Sequence, residues 1–280
     1  MVRSHKQHRW SMKRWQVALA ALLLVLVLAG VYVFMVLTKT PSAMLRDSVF
    51  AAVGAAPVSG TAEASSAVVG TITQTDKSRV TLAGNQAQFA SRITTTLSPD
   101  ITLSYDADVI ALEDRSLLAK TTNITNSEHV AAKDLRRNEG KWVKQANART
   151  IGRFIGAGVY GCVVDLRATV LHMKDGLAQF KHNYQQQPFL QVDETHGEHD
   201  GWWRVTFDKQ AFNRLTTNLG ITSQQLPSCQ QLNLAKPQID VQFAQPTGYA
   251  HKLRVRSGST TISTELSFGS GSITVPQTDT

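Results

Sequence analysis

The sequence predicts an α+β protein in two parts: an N-terminal transmembrane helix, then an exported domain of antiparallel strands and helices. Three observations carry this. Val17 to Leu37 reads VALAALLLVLVLAGVYVFMVL, and no charged residue lies between Arg14 and Lys39. From about residue 60 to residue 125, Thr, Ser, Val, Ile and Ala dominate and turn signals recur. After that, apolar residues return near helical spacing, and three strand-like runs close the chain.

The anchor comes first. A helix rises about 1.5 Å per residue, so roughly 20 apolar residues cross the hydrocarbon core. Arg3, Lys6, Arg9, Lys13 and Arg14 precede the run, with no acid among them, whereas Lys39 alone follows it closely. Basic flanks stay inside, which places the N-terminus in the cytoplasm and the C-terminal domain outside the cytoplasmic membrane. Trp10 and Trp15 suit the inner interface, where an indole has an apolar body and a polar N–H. The alternative is a cleaved signal peptide. Its apolar core spans about 7–15 residues and precedes a small-x-small site, and Pro41-Ser42-Ala43 is a poor match. No Cys follows the run, which excludes a bacterial lipoprotein anchor.

Charge argues against a nucleic-acid partner. The formal net charge is +8, but beyond the leader 24 basic residues face 21 acidic ones. A nucleic-acid module concentrates its basic residues on one face. Lys133, Arg136 and Arg137 read as a solvated helix or loop. Lys252, Arg254 and Arg256 alternate, as on the wet face of a strand. Cys162 and Cys229 are the two cysteines. Outside the cytoplasm a bridge between them persists and contributes on the order of 3–4 kcal/mol in the chain-entropy model. Two separate buried thiols are the alternative, because bridging needs Cα atoms within about 7 Å.

In order, residues 1–14 are a basic cytoplasmic tail, 15–38 the transmembrane helix, and 39–57 a linker with a short helix over 43–53 that ends at Gly54. Pro57 to Gly60 breaks the pattern, and the exported α+β domain runs over 58–268. Strands are expected at VVGTITQ, RVTLA, QAQFASRITTTL, ITLSYDADVIAL and SLLAKTTNI. The turns between them are Thr75-Asp76-Lys77-Ser78, Gly84-Asn85, Ser98-Pro99-Asp100 and Glu113-Asp114. Short turns favour antiparallel pairing over parallel crossovers. KWVKQ (141–145) is a further strand, and the glycine-rich run 149–161 fits a packed helix or a loop. A helix over 163–184 weakens at Asp175-Gly176. Strands at 189–195 and 202–207 pair across a polar turn. Asp208 caps a helix over 209–219, which Gly220 closes. A loop over 227–237 holds Cys229, strands follow at 239–244, 249–256 and 260–268, and 269–280 form a disordered tail.

Chemical motifs are sparse. Gly156, Gly158 and Gly161 give G-x-G-x-x-G, but no strand of a βαβ unit precedes it. His196, Glu198, His199 and Asp200 crowd one turn, where Asp-Gly and His-Gly pairs are ordinary turn chemistry. No second ligand motif completes a metal site. H-E-x-x-H and G-x-S-x-G are absent, and a bridged Cys162 cannot serve as a nucleophile. Neither an enzyme nor a cofactor is expected. One indole of Trp202-Trp203 belongs to the core and the other to the opposite sheet face.

SLLAKTTNI followed by KWVKQ, and later GWWRVTFDKQAFNRL, resemble the rhythm of the lipoprotein-carrier group, which includes the periplasmic lipoprotein chaperone and mycobacterial glycolipid carriers. The likeness covers roughly residues 43–268 at the level of pattern. It implies a curved antiparallel sheet packed on helices, with an apolar cavity between them. The lipid-anchoring Cys of many members is absent here, and a tethered protein cannot ferry between membranes. The expected lining residues are Leu82, Phe89, Leu103, Leu118, Trp203 and Phe207, subject to strand register. The expected partners are the membrane, a lipid or lipoprotein, and other envelope proteins. The competing expectation is a structural or sensory envelope domain that docks proteins and has no deep pocket.

Overall fold

The computed structural model describes residues 39–69, 72–98, 100–114, 116–126, 136–145, 155–231, 237–245 and 247–276. The basic leader and the expected span lie outside these residues. Among the described residues no helix is long and apolar enough to cross a membrane. The chain divides into two units, Met1–Thr40 with Gln245–Gly248, and Pro41–Ala244 with Tyr249–Thr280. Every element below belongs to the second.

Helix α1 (Pro41–Val53) starts where the missing N–H of proline costs nothing. It ends with the Gly54 N–H donating to the Phe50 carbonyl. Its buried residues Met44, Leu45, Ser48 and Val53 face the rest of the fold. The Ser48 hydroxyl donates to Met44 O and accepts from Ala250 N–H, fastening the helix to a strand.

Five long strands follow: β1 (Val58–Val69), β2 (Ile72–Ala83), β3 (Gln86–Ser98), β4 (Ile101–Ala111) and β5 (Leu117–Asn126). The turns at Gly84, Asp100 and Glu113-Asp114 fall between strands as the sequence predicts, while Ser98 is the last residue of β3. Two expectations are corrected. VVGTITQ is no single strand, since β1 ends at Val69 and β2 begins at Ile72. Thr75 to Ser78 is no turn but the middle of β2. There Lys77 reaches Glu63 across the strand pair. Asp76 and Ser78 are buried, bonded to each other, and Ser91 donates to Ser78. Cross-strand partners satisfy residues that, taken singly, favour turns.

The short strand β6 (Val143–Gln145) pairs with β5. Helices α2 (Ile155–His172) and α3 (Gly176–Gln186) replace the single weakened helix of the sequence analysis. The chain turns at Asp175, whose φ is 56°. Gly176 is required there, because a Cβ would lie 2.1 Å from Val170 O. Residues 155–161 of the glycine-rich run belong to α2.

Strands β7 (Leu190–Val192), β8 (Glu198–His199) and β9 (Trp202–Phe207) come next, then α4 (Lys209–Asn218). Asp208 caps α4 by accepting from the N–H groups of Gln210 and Ala211. The expected loop at 227–237 opens instead with a short helix, α5 (Pro227–Gln231). It is joined to α2 by the Cys162–Cys229 disulfide, with Cα atoms 4.4 Å apart. Strands β10 (Gln238–Phe243), β11 (Ala250–Ser257) and β12 (Thr260–Phe268) complete the fold. Residues 269–276 carry no regular structure, although Gly269 N–H donates to Pro57 O.

Among the described residues twelve strands form one curved antiparallel sheet in the order β6-β5-β4-β3-β2-β1-β12-β11-β10-β9-β7, with β8 beside β9. The C-terminal strands thus close onto β1. Helix α2 packs over β1, β2 and β3, and α1 over β7 and β11. Leu166 and Val170 of α2 join Val53, Phe180, Tyr184, Ala211 and Leu215 in a separate core between the helices.

Candidate functional site

The inner face of the sheet is the expected site, and its rows follow from register. One row runs Phe268, Val58, Leu82, Ala87, Ala111, Leu117. The next runs Leu266, Gly60, Val80, Phe89, Val109, Ala119. These apolar rows pack with Val164 of α2 into one core. The following rows turn polar. Ser78 and Ser91 share one, and Asp76, Ile93 and Tyr105 share the next. Burial, and then the charge of Asp76, push the Tyr105 hydroxyl above its ordinary range. Leu103 lies one row further, level with Thr95 and Gln74.

The six expected lining residues are therefore dispersed. Leu82 and Phe89 meet in the α2-covered core, 2% and 1% exposed. Leu103 is half-buried beyond the polar rows. Leu118 is a correction: Leu117 pairs with Ala111 in the inner row, so its neighbour Leu118 projects to the outer face. Trp203 packs, half-buried, in a core with Leu45, Val192, Val205 and Val241. Phe207 is 40% exposed, its ring edge-on to Phe189. Leu103 and Phe207 are the ends of the inner face rather than its middle. The buried Asp76–Ser78–Ser91 network escaped the sequence analysis because those residues signal a turn when read locally.

Over β9 to β12 the outer face is the wet face that the alternation of Lys252, Arg254 and Arg256 predicts, whereas at the β4–β5 end the paired Ile110 and Leu118 are buried on it. Arg204 Nε donates to Asp240 at 2.6 Å, and Lys252 pairs with Glu265. The Arg254 guanidinium lies 4.5 Å from the Trp202 ring centroid, so the two indoles do divide between the faces. At this end of the sheet an open groove of about 360 Å³ is lined by Asp193, Arg204, Val205, Thr206, Phe207, Pro237 and Gln238. In the turn beside it, His196 Nδ1 meets Asp193 at 2.7 Å. Hydrogen bonds from Thr195, and then from His196, hold the Asp193 carboxyl below the usual range. Among the described residues no group of three or more His, Cys, Asp or Glu side chains converges to hold a metal ion.

No family model matches the chain, and no curated protein matches its sequence. Among solved structures, LprF from Mycobacterium bovis aligns with a TM-score of 0.39 and 12% identity, over 85% of this chain and 96% of that one. A likeness of that degree assigns no function.

Proposed function

We propose that the chain is a membrane-anchored extracytoplasmic binding protein, not an enzyme, that holds a lipid or acylated ligand against the inner face of its sheet. The single span, the cytoplasmic N-terminus and the kinship with lipoprotein carriers belong to this proposal. The supporting observation is a half-buried apolar strip on β9 to β11, formed by Trp203, Ile239, Phe243 and Leu253, beside the closed cores. An acyl chain gains about 0.8 kcal/mol per buried CH₂, so a partly enclosed chain binds without polar chemistry.

A second function, a docking domain without a ligand pocket, is favoured by a different observation. Leu82 and Phe89 are sealed under Val164 and leave no room there for a ligand. Displacement of a fluorescent fatty-acid probe from the fragment 40–280 separates the two. Lipid binding predicts saturable displacement that weakens several-fold in Trp203→Ala. A probe that never saturates leaves the docking domain standing. In intact spheroplasts, added protease is expected to digest the region beyond residue 39, and protection of that region overturns the orientation.

A further inference from the structure

We propose that segment 272–276 is a removable strap that crosses the outer face of the sheet and occupies an apolar interaction surface on β4 and β5. The surface lies on the face opposite the apolar strip, so the strap stands or falls apart from the acyl-chain proposal. Register defines one outer row: Ser267, Ser59, Thr81, Gln88, Ile110, Leu118. Ile110 and Leu118 are 0% and 2% exposed, although side chains at these positions point away from the α2-covered core. Ser59, Thr81 and Gln88 are half-buried. In the next rows of the same face Thr61 and Arg79, and then Glu63, Lys77 and Arg92, are exposed. Water is thus excluded along a single row, and whatever excludes it runs across the strands.

The C-terminal segment enters this row. Gly269 N–H donates to Pro57 O, and the Ser270 hydroxyl meets those of Ser59 and Ser267. Gly271 lies directly on the sheet, where a Cβ would stand 2.8 Å from Thr81 Cγ2 and 3.5 Å from Ser59 Cβ. From Phe268 to Gly271 the chain therefore moves from β12 past β1 to β2. Continued in that direction it meets β3, β4 and β5 in turn. At the ordinary strand spacing β4 and β5 lie about 10 and 14 Å beyond β2, and five extended residues span about 17 Å. Segment 272–276 has that reach. Its exposure agrees: Ile273 and Pro276 are half-buried, whereas Ser272, Thr274 and Val275 are exposed. A spacing of three is what an extended chain shows when one of its faces rests on a surface. Neither the segment nor the row up to Leu118 carries a charge, so the contact desolvates no ion. The segment belongs to no strand, so it lifts while every sheet hydrogen bond stays in place. Seated, it keeps Ile110 and Leu118 from water and from other chains; lifted, it bares them.

The test uses the full chain in a non-ionic detergent. Pro276→p-benzoyl-phenylalanine is irradiated and the cross-linked peptides are mapped. Links within one molecule to β3, β4 or β5 are expected. Links only to other elements, or none, overturn the strap. Hydroxyl-radical footprinting then compares the full chain with a chain that stops at Gly271. Ile110 and Leu118 are expected to be oxidised several-fold more in the shortened chain, while Leu82 and Phe89 on the inner face keep their protection. Unchanged labelling of Ile110 and Leu118 overturns the covering role. If all four residues gain label, the shortened chain has unfolded. Ile273→Asp/Pro276→Asp in the full chain then takes its place, because a carboxylate at either position opposes seating on an apolar surface, and the same two outcomes decide.

Discussion

Arg167 carries a guanidinium into the interior between two apolar cores. It is 2% exposed, and it donates to the carbonyls of Gly84, Ala52 and Ala56. One side chain thereby ties α2 to the end of α1, to the segment after it, and to the β2–β3 turn. Burial pulls its pKa down to about 10. Arg167→Met strands three carbonyls, each costing about 1–3 kcal/mol when left unpaired. A loss of roughly 3 kcal/mol or more is expected in urea unfolding, and a change below about 1 kcal/mol overturns the tying role. Asp114 is the contrasting case, fully exposed on the β4–β5 turn. Donation from the Ser116 hydroxyl and N–H, and then from Lys144, holds its pKa at about 2. A depressed carboxyl contributes stability above its unfolded pKa of about 4, and that contribution is lost as pH falls toward the folded value. The midpoint of thermal unfolding is therefore expected to fall between about pH 4 and pH 2, slightly less so in Asp114→Asn. Identical acid limbs for both proteins would remove Asp114 from the account.

At the scale of elements, the β1–β12 pair joins the N-terminal and C-terminal strands into one sheet, and Gly60 lies in it opposite Leu266. A Cβ there would lie 2.4 Å from Glu265 O. The obstacle is backbone, so the strands themselves must part. Gly60→Ala is expected to destabilise by about 1–3 kcal/mol, the usual range for overpacking, and to speed hydrogen exchange at β12 amides. Wild-type exchange in β12 would show that the strands can give. Trp202 and Trp203 illustrate how an element divides its labour: adjacent residues take opposite faces, one under Arg254 and one in the core with Leu45.

For the whole molecule, the disulfide is the single covalent tie across the helical layer among the described residues. It joins α2 to α5 across a separation of 67 residues. A loop of that length corresponds to about 4 kcal/mol in the chain-entropy model. Cys162→Ser/Cys229→Ser is therefore expected to remain folded but to unfold at clearly lower denaturant. The sheet amides should change least, since α5 packs chiefly on α2. Wild-type stability in the double variant would mean that packing of α5 alone holds that corner.

The sequence by itself determined the α+β class with its antiparallel sheet, most strand boundaries, the cap at Asp208 and the division of the indoles. Those features rest on local chemistry: side-chain alternation, turn residues, and a carboxylate placed before a helix. It could not determine which of Leu117 and Leu118 faces inward. Both are apolar, both suit a strand, and only pairing with Ala111 chooses. Nor could it place Asp76 and Ser78 within a strand, because what overrides their turn preference is pairing with β1 and β3 and a hydroxyl from Ser91 of β3. The groove is the clearest case. Asp193, Arg204 and Gln238 are separated in the chain, and only the order β7, β9, β10 makes them neighbours. Tertiary pairing decides such sites because side-chain chemistry acts over a few ångströms, whereas sequence records only the order of residues.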